Sequence, residues 1–453
     1  MTRIIRGAGF VYCAIALLAS AVGPARAQVK APSTYPIDLP TSLRLADAQN
    51  LDVQVARERV KEAMANRTSA LEQFIPWLAP GVTWHRREGV AQASPAGIIG
   101  NADYVGYSPG VGLSAQSTLG DAIYNSLAAK QLVRASDEGL AAQRQDAAFQ
   151  AANGYFDLAK AKALVDVVRD ALATSQDYQR QLHDAVTIGI AFKGDELRVQ
   201  AQSEHYQVVL RQALAQQRVA AVELARVLHL DASVELVPQA TELVPLTLFD
   251  STASVESLLD RAVRTRPELK QTDALIAAGR AARDAAVYGP LIPSVGAQLF
   301  GGWLGGGPDS GRSRVAPMRD YAFGVTWRIG PGGLFDRGRI NASKAQLAAR
   351  ELGDAKLKDG IAAEVVAGLT RIRALSDQIA ISEAALGTAT EALRLTRDRK
   401  QFGVGIVLED IQAQQAVTQA RSDYITSIAE FNKAQYALNK AVGGGPRSAP
   451  MPP

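Results

Sequence analysis

The stretch QFGVGIVLEDIQAQQAVTQARSDY, residues 401–424, interrupts a helical pattern and then restarts it. Apolar periodicity runs into Phe402, stalls over Gly403, Val404 and Gly405, and resumes at Leu408 with Glu409 and Asp410 in a fresh first turn. About 214 positions earlier, VTIGIAFKGDELRVQAQSEHY, residues 186–206, has the same grammar. There Gly189 matches Gly403, Asp195 matches Glu409, Leu197 matches Ile411 and Gln200 matches Gln414. The echo extends outward. Phe74–Pro80 matches Val287–Pro293, and Asp121, Gln131 and Leu132 match Asp336, Gln346 and Leu347, with an offset held between 213 and 216. A register kept over that distance marks an internal duplication. We therefore read one repeat over 28–230, a second over 255–442, and between them a linker, 231–254, whose Pro238 and Pro245 favour extended backbone.

Each copy reads as short helix, two strands, very long helix, short helix. The long helices are expected over about 120–188 and 336–402, with helices over about 43–74 and 254–287 before the strands and about 195–229 and 408–442 after the stalls. Val365, Ile372, Ile379, Leu386 and Leu393 recur every seven residues, as do Leu158, Val165 and Leu172. A sustained seven-residue period makes helices supercoil side by side. At 1.5 Å per residue, a helix of about 70 residues is roughly 105 Å long. The helices flanking it are each about half that, so two stacked end to end equal one long helix. Each chain then offers four columns of equal height.

Between the helices the period falls to two. Tyr321, Phe323, Val325, Trp327 and Ile329 alternate with small or polar residues, as do Val295, Ala297, Leu299 and Trp303. Val82–Arg87 and Tyr104–Leu113 are weaker windows, the second carrying Pro109. Trp77, Trp84, Trp303 and Trp327, the only tryptophans, all fall in or beside these windows. Strands of about ten residues with an apolar face and aromatic ends fit an outer-membrane barrel. Four strands cannot close one, and open edges are not tolerated in lipid. Two chains would supply eight strands around a filled interior; three would supply twelve and leave a channel.

The first 27 residues carry Arg3, Arg6 and Arg26 but no acid, an apolar run from Phe10 to Val22, and Ala25-Arg26-Ala27 before Gln28. This is the pattern of a cleaved secretory signal. Cys13, the only cysteine, lies inside it, so neither disulfides nor thiolate metal sites are expected in the mature chain. The net charge of +4 is misleading: without those three arginines, 46 basic side chains face 45 acidic ones, too even a balance for a nucleic-acid-binding protein.

At this point the residues resemble a known family, the TolC-like outer membrane efflux factors, over nearly all the mature length. The resemblance rests on the duplicated unit, Pro80 and Pro293 at the strand starts, LFDRGRINASKAQL after the last strand, and the stalled turn ending in GVGIVLEDIQAQQA. It implies a mainly α fold with a small β part. Long antiparallel coiled-coil helices would form an α-barrel, and four strands would be contributed to a shared trimeric transmembrane β-barrel. It also implies a homotrimer held in outer membrane lipid, an equatorial belt from the linker and chain ends, a periplasmic adaptor and an inner-membrane pump as partners. Such a duct carries drugs, metals or secreted proteins outward. Many relatives are lipidated at a leading cysteine, a pattern from which this chain departs.

Under that resemblance the stalls at 189–194 and 403–407 are hairpin turns at the periplasmic end. Gly189, Ile190, Ala191, Gly403, Val404, Gly405 and Ile406 are expected to contact the adaptor, since apolar residues at exposed tips mark partner sites. Asp195 and Glu409 are expected to constrict the tunnel mouth, with Gln412 at a second ring position where relatives carry an acid. Acids in a first helical turn are favoured anyway by about 0.3–1 kcal/mol, and for Glu196 and Asp410 that role alone is expected.

Other chemistry finds little support. Gly306–Ser313 resembles a phosphate-binding loop but has Arg312 in the lysine position and stands between strands, not before a helix. His85, His183, His205 and His229 are scattered with no acidic partner in register, so no metal site is expected. No nucleophile–base arrangement stands out; neither a cofactor nor an enzymatic activity is expected. A periplasmic coiled-coil stalk or adhesin with a small soluble sheet is the alternative reading. The tail, 443–453, is expected to be flexible.

Overall fold

In the computed structural model the chain is mainly helical, with one four-stranded and one two-stranded sheet among the described residues. It is described for residues 34–75, 77–93, 98–240, 242–307, 315–401 and 406–445. The expected leader, the phosphate-loop-like segment beyond Gly307, most of the second stall and most of the C-terminal tail lie outside these residues.

Strand β1 (Thr34–Ile37) leads into α1 (Leu39–Gln49) and α2 (Leu51–Glu72). The expected single helix before the first strands is broken at Asn50, and the cause is a tertiary bond. The Asn50 carboxamide oxygen accepts from the amides of Asp52 and Val53, capping α2. Its amide donates to the Val227 carbonyl at 2.8 Å, so one buried side chain stops α1, starts α2 and ties both to a distant helix. Strands β2 (Trp77–Ala93) and β3 (Ile98–Thr118) follow, then α3 (Leu119–Thr187), α4 (Lys193–Val227) and β4 (Glu235–Pro238). The second half runs α5 (Val255–Thr265), α6 (Pro267–Val287), β5 (Ser294–Gly307), β6 (Ala316–Thr326), α7 (Arg337–Gln401) and α8 (Val407–Ala441). Here too the expected helix is split. Pro267 cannot continue α5, and Arg266, 4% exposed, is held by Glu268 and Glu364.

Helices α3 and α7 have 69 and 65 residues, each about 100 Å long. The seven-residue positions show how far one chain fills its own seam. Leu158, Val165, Val365 and Ile372 are at most 1% exposed, whereas Leu172, Ile379, Leu386 and Leu393 toward the tips are half-buried. A second stripe on α7, Leu352, Val366, Ile381 and Leu395, is exposed among the described residues.

The sheet order is β2-β3-β5-β6, antiparallel throughout, with β2 and β6 as unpaired edges. The first two strands are much longer than the windows expected from propensity, because pairing carries them through Pro80 and Pro109. Their register runs from Trp77 opposite Ser114 to Ala93 opposite Ile98. Pro109 still leaves a mark: the ladder between β3 and β5 is bonded at Tyr107–Gly305 and Gly110–Gly302 and skips the residues between. Alternation places Leu78, Val82 and Trp84 on one face with Val111, Leu113, Leu299, Tyr321, Phe323 and Val325. The opposite face carries mostly Gly, Ala, Ser and Thr. Phe323, Val82 and Trp84 are 77%, 71% and 64% exposed, so this is no core sheet.

The linker is less free than its prolines suggest. Strand β4 within it pairs in parallel with β1, Thr34 opposite Glu235. Two buried amides of α8 hold the rest as a partner strand would. Asn432 accepts from the Leu246 amide and donates to the Val244 carbonyl, at 2.7 and 2.9 Å. Gln435 accepts from the Leu248 and Phe249 amides and donates to the Phe249 carbonyl. Main-chain groups in a packed linker need partners, and these two side chains supply them.

Candidate functional site

The candidate site is the end of the molecule where α3 turns into α4 and α7 into α8. Gly189 takes φ +80°, which lets the chain reverse directly after α3. Its amide donates to the Val186 carbonyl, and the Ile190 amide donates to that of Ala185, closing the helix end. Ile190 is 76% exposed and Ile406, just before α8, is 58% exposed. Ala191 differs from the expectation of an exposed tip. It packs with Val407 and Ile411 against the buried trio Tyr178, Leu182 and Val199, joining the first hairpin to α8. Gly403, Val404 and Gly405 lie outside the described residues.

Asp195 and Glu409 stand at equivalent places in the first turns of α4 and α8. Neither carboxylate is unpaired. Arg198 meets Asp195 at 3.0 Å and Arg399 meets Glu409 at 3.4 Å. Gln412 is exposed on the next turn of α8.

Their neighbours Glu196 and Asp410, expected only to favour a helix start, are the buried acids of the site, 6% and 5% exposed. Glu196 accepts from Lys193 at 2.6 Å and lies 2.9 Å from His183 Nδ1. Lys193 first, and His183 second, hold its carboxyl below the usual glutamate range. His183 thus has the acidic partner its helix register did not offer; the hairpin brings it. Asp410 lies 4.0 Å from Arg397, and its Oδ1 makes no hydrogen bond among the described residues. It lines a cleft with Tyr178, Asp177, Gln181 and Gln414. Burial, and after it the charges of Asp410 and Asp195, push the Tyr178 hydroxyl up to about 12. The sequence signal for the buried pair was available in the duplication: His183 and Glu196 stand 214 residues before Arg397 and Asp410.

Among the described residues no helix is long and apolar enough to cross a membrane, and no cluster of three or more His, Cys, Asp or Glu could hold a metal. Residues 258–444 match the family described as outer membrane efflux protein. The matched stretch runs from within α5 to just past α8 and so contains Ile406, Glu409 and Gln412. No curated protein sequence matches the chain. Solved structures match along almost all of it. A membrane protein from Pseudomonas aeruginosa is 20% identical with a TM-score of 0.74, covering 90% of this chain and 95% of that one. The CmeC outer membrane channel of Campylobacter jejuni is 17% identical, with a TM-score of 0.76 and coverage of 90% and 86%. The outer membrane protein VceC of Vibrio cholerae is 17% identical, with a TM-score of 0.73 and coverage of 90% and 96%. The likeness in fold to these structures thus extends well beyond the stretch that the family model matches.

Proposed function

We propose that this chain is the outer membrane channel-tunnel of a tripartite efflux or type I secretion system, a passive exit duct driven by an inner-membrane pump through a periplasmic adaptor. The observation that carries the reading is the sheet: four strands, apolar and exposed on one face, open at both edges, at the far end of helical hairpins about 100 Å long. A sheet of this kind satisfies its backbone in lipid only by closing with further copies. Three copies give twelve strands, with the small and polar face turned to a lumen. The two halves, 28–230 and 255–442, then act as repeats, each ending in one tip, with 231–254 as an equatorial belt. Ile190 and Ile406, with Gly189 and the Gly403–Gly405 stall, form the adaptor contact, and Ala191 anchors the first tip to α8. Asp195, Glu409 and Gln412 ring the periplasmic mouth.

A stalk or adhesin finds no support in the family match or in the exposed apolar sheet. The test is cross-linking of the detergent-extracted protein. A trimer recovered from the outer membrane fraction is expected; recovery of a monomer from soluble periplasmic material would overturn the reading. Deleting the gene and following accumulation of dyes, antibiotics, metal ions and secreted proteins then identifies the cargo.

A further inference from the structure

Directly after β6 the backbone makes a compact turn. The Leu334 amide donates to the Arg328 carbonyl, the Gly330 amide to that of Leu334, and the Gly333 amide to that of Gly330. Asp336 closes it from the other side, accepting from the amides of Gly332 at 2.8 Å and Arg339 at 2.9 Å. Between these two sets of bonds stands Phe335, with φ +69° and 81% of its surface exposed. A bulky residue in the left-handed region is costly and persists only where its surroundings impose it. Here the turn imposes it, and nothing among the described residues covers the ring.

The opposite edge of the sheet carries a matching feature. Strand β3 runs past the start of β2: Trp77 pairs with Ser114, while Ala115–Thr118 pair only with β5. The missing strand leaves a notch of ≈ 450 Å³ whose lining includes the polar Glu72 and Gln73 beside Phe74, Ile75, Trp77 and Ala115. Phe74, Ile75 and Trp77 are 42%, 66% and 60% exposed around it. Both lie at the helix-side end of the sheet, the knob in the turn that follows edge strand β6 and the notch beside the start of edge strand β2. Strand β6 runs toward the helices and β2 away from them, so pairing the β6 edge of one copy with the β2 edge of the next is antiparallel. It brings the segment after Thr326 alongside the segment before Trp77.

We propose that Phe335 of each copy plugs this notch in the next copy, locking the closed barrel at its base. The occupant is a second copy of this chain, because the knob follows one, and the notch flanks the other, of the two edge strands that association must join. The proposal rests on the trimer reading above. The plug would bury an aromatic ring and cover the unpaired backbone edge of Ala115–Thr118 that an open notch would leave beside lipid.

The test uses the full chain in detergent. Phe335→Cys combined with Ile75→Cys should give covalent dimers and trimers under mild oxidation, and neither single variant should. Phe335→Gly relieves the backbone strain while removing the ring, so a purely local role predicts an unchanged or slower trimer dissociation. The plug predicts dissociation at least tenfold faster for both Phe335→Gly and Phe335→Ala. Trimers with no cross-link and wild-type dissociation would overturn the plug and leave the trimer standing. A monomer in mild detergent would overturn both.

Discussion

His183 Nδ1 lies 2.9 Å from Glu196 Oε1, and the same two positions in the second half hold Arg397 and Asp410, 4.0 Å apart. Both pairs bind a long helix to the first turn of the helix returning from the tip. In the first hairpin Lys193 adds a second partner, a cation, to the buried carboxylate. The carboxyl of Glu196 is therefore held below its unfolded value of about 4.5. A depressed acid stabilises fully above the unfolded value and loses that contribution as pH falls through the folded one. The wild type should melt at a higher temperature than Glu196→Gln at neutral pH. The gap should shrink once the pH drops below about 4.5. A pH-independent gap would mean that Glu196 acts through packing alone.

The tips offer a contrast between neighbouring residues. Ile190 and Ile406 are exposed, while Ala191 packs on Tyr178, Leu182 and Val199. Ile190→Glu or Ile406→Glu should abolish efflux and leave trimer yield and melting unchanged, since both side chains are exposed among the described residues. Ala191→Glu should instead lower the melting temperature, because it places a charge beside a small apolar cluster. Efflux assays with thermal melts of the purified variants separate the two effects.

The elements easiest to read from the sequence were those with sustained period and sharp punctuation. Helices α3 and α7 were expected at 120–188 and 336–402 and lie at Leu119–Thr187 and Arg337–Gln401. The seven-residue stripe and the Gly-containing stalls define them locally. The breaks at Asn50 and Arg266 were not legible, since each depends on a partner far along the chain, Val227 for one and Glu364 for the other. Strand lengths failed for the related reason that Pro80 and Pro109 weaken local propensity while the antiparallel register overrides it. At the site, the duplication aligned Asp195 with Glu409 but said nothing of burial. Which acid of each Asp-Glu or Glu-Asp pair faces inward is decided by His183 and Arg397 across the hairpin.

Asn432 and Gln435 pin the linker to α8, and their loss should be felt there. Each is at most 1% exposed and serves backbone groups of Val244–Phe249. Gln435→Leu keeps most of the volume but strands the Leu248 and Phe249 amides. Leaving a buried donor unsatisfied costs about 1–3 kcal/mol. Limited proteolysis should cut Gln435→Leu within 239–254 several-fold faster than wild type, while helical content stays the same.

The mouth of the tunnel can be probed with substitutions of opposite expected sign. Asp195 and Glu409 each face an arginine on the chain's own helices, Arg198 at 3.0 Å and Arg399 at 3.4 Å. In the proposed trimer, three carboxylates would converge at each level and repel. The arginines offset that repulsion and weaken the field that a passing cation meets. Removing the acid should remove both the cation attraction and whatever constriction the paired side chains provide. Glu409→Ala and Asp195→Ala, alone and together, should therefore raise single-channel conductance and weaken block by divalent cations. Arg399→Ala leaves Glu409 uncompensated and should strengthen divalent block. Gln412→Asp, adding a second acidic level, should strengthen it further. Unchanged conductance in all of these variants, with lower melting temperatures for the two acid-to-alanine changes, would leave Asp195 and Glu409 only their favourable place in a first helical turn.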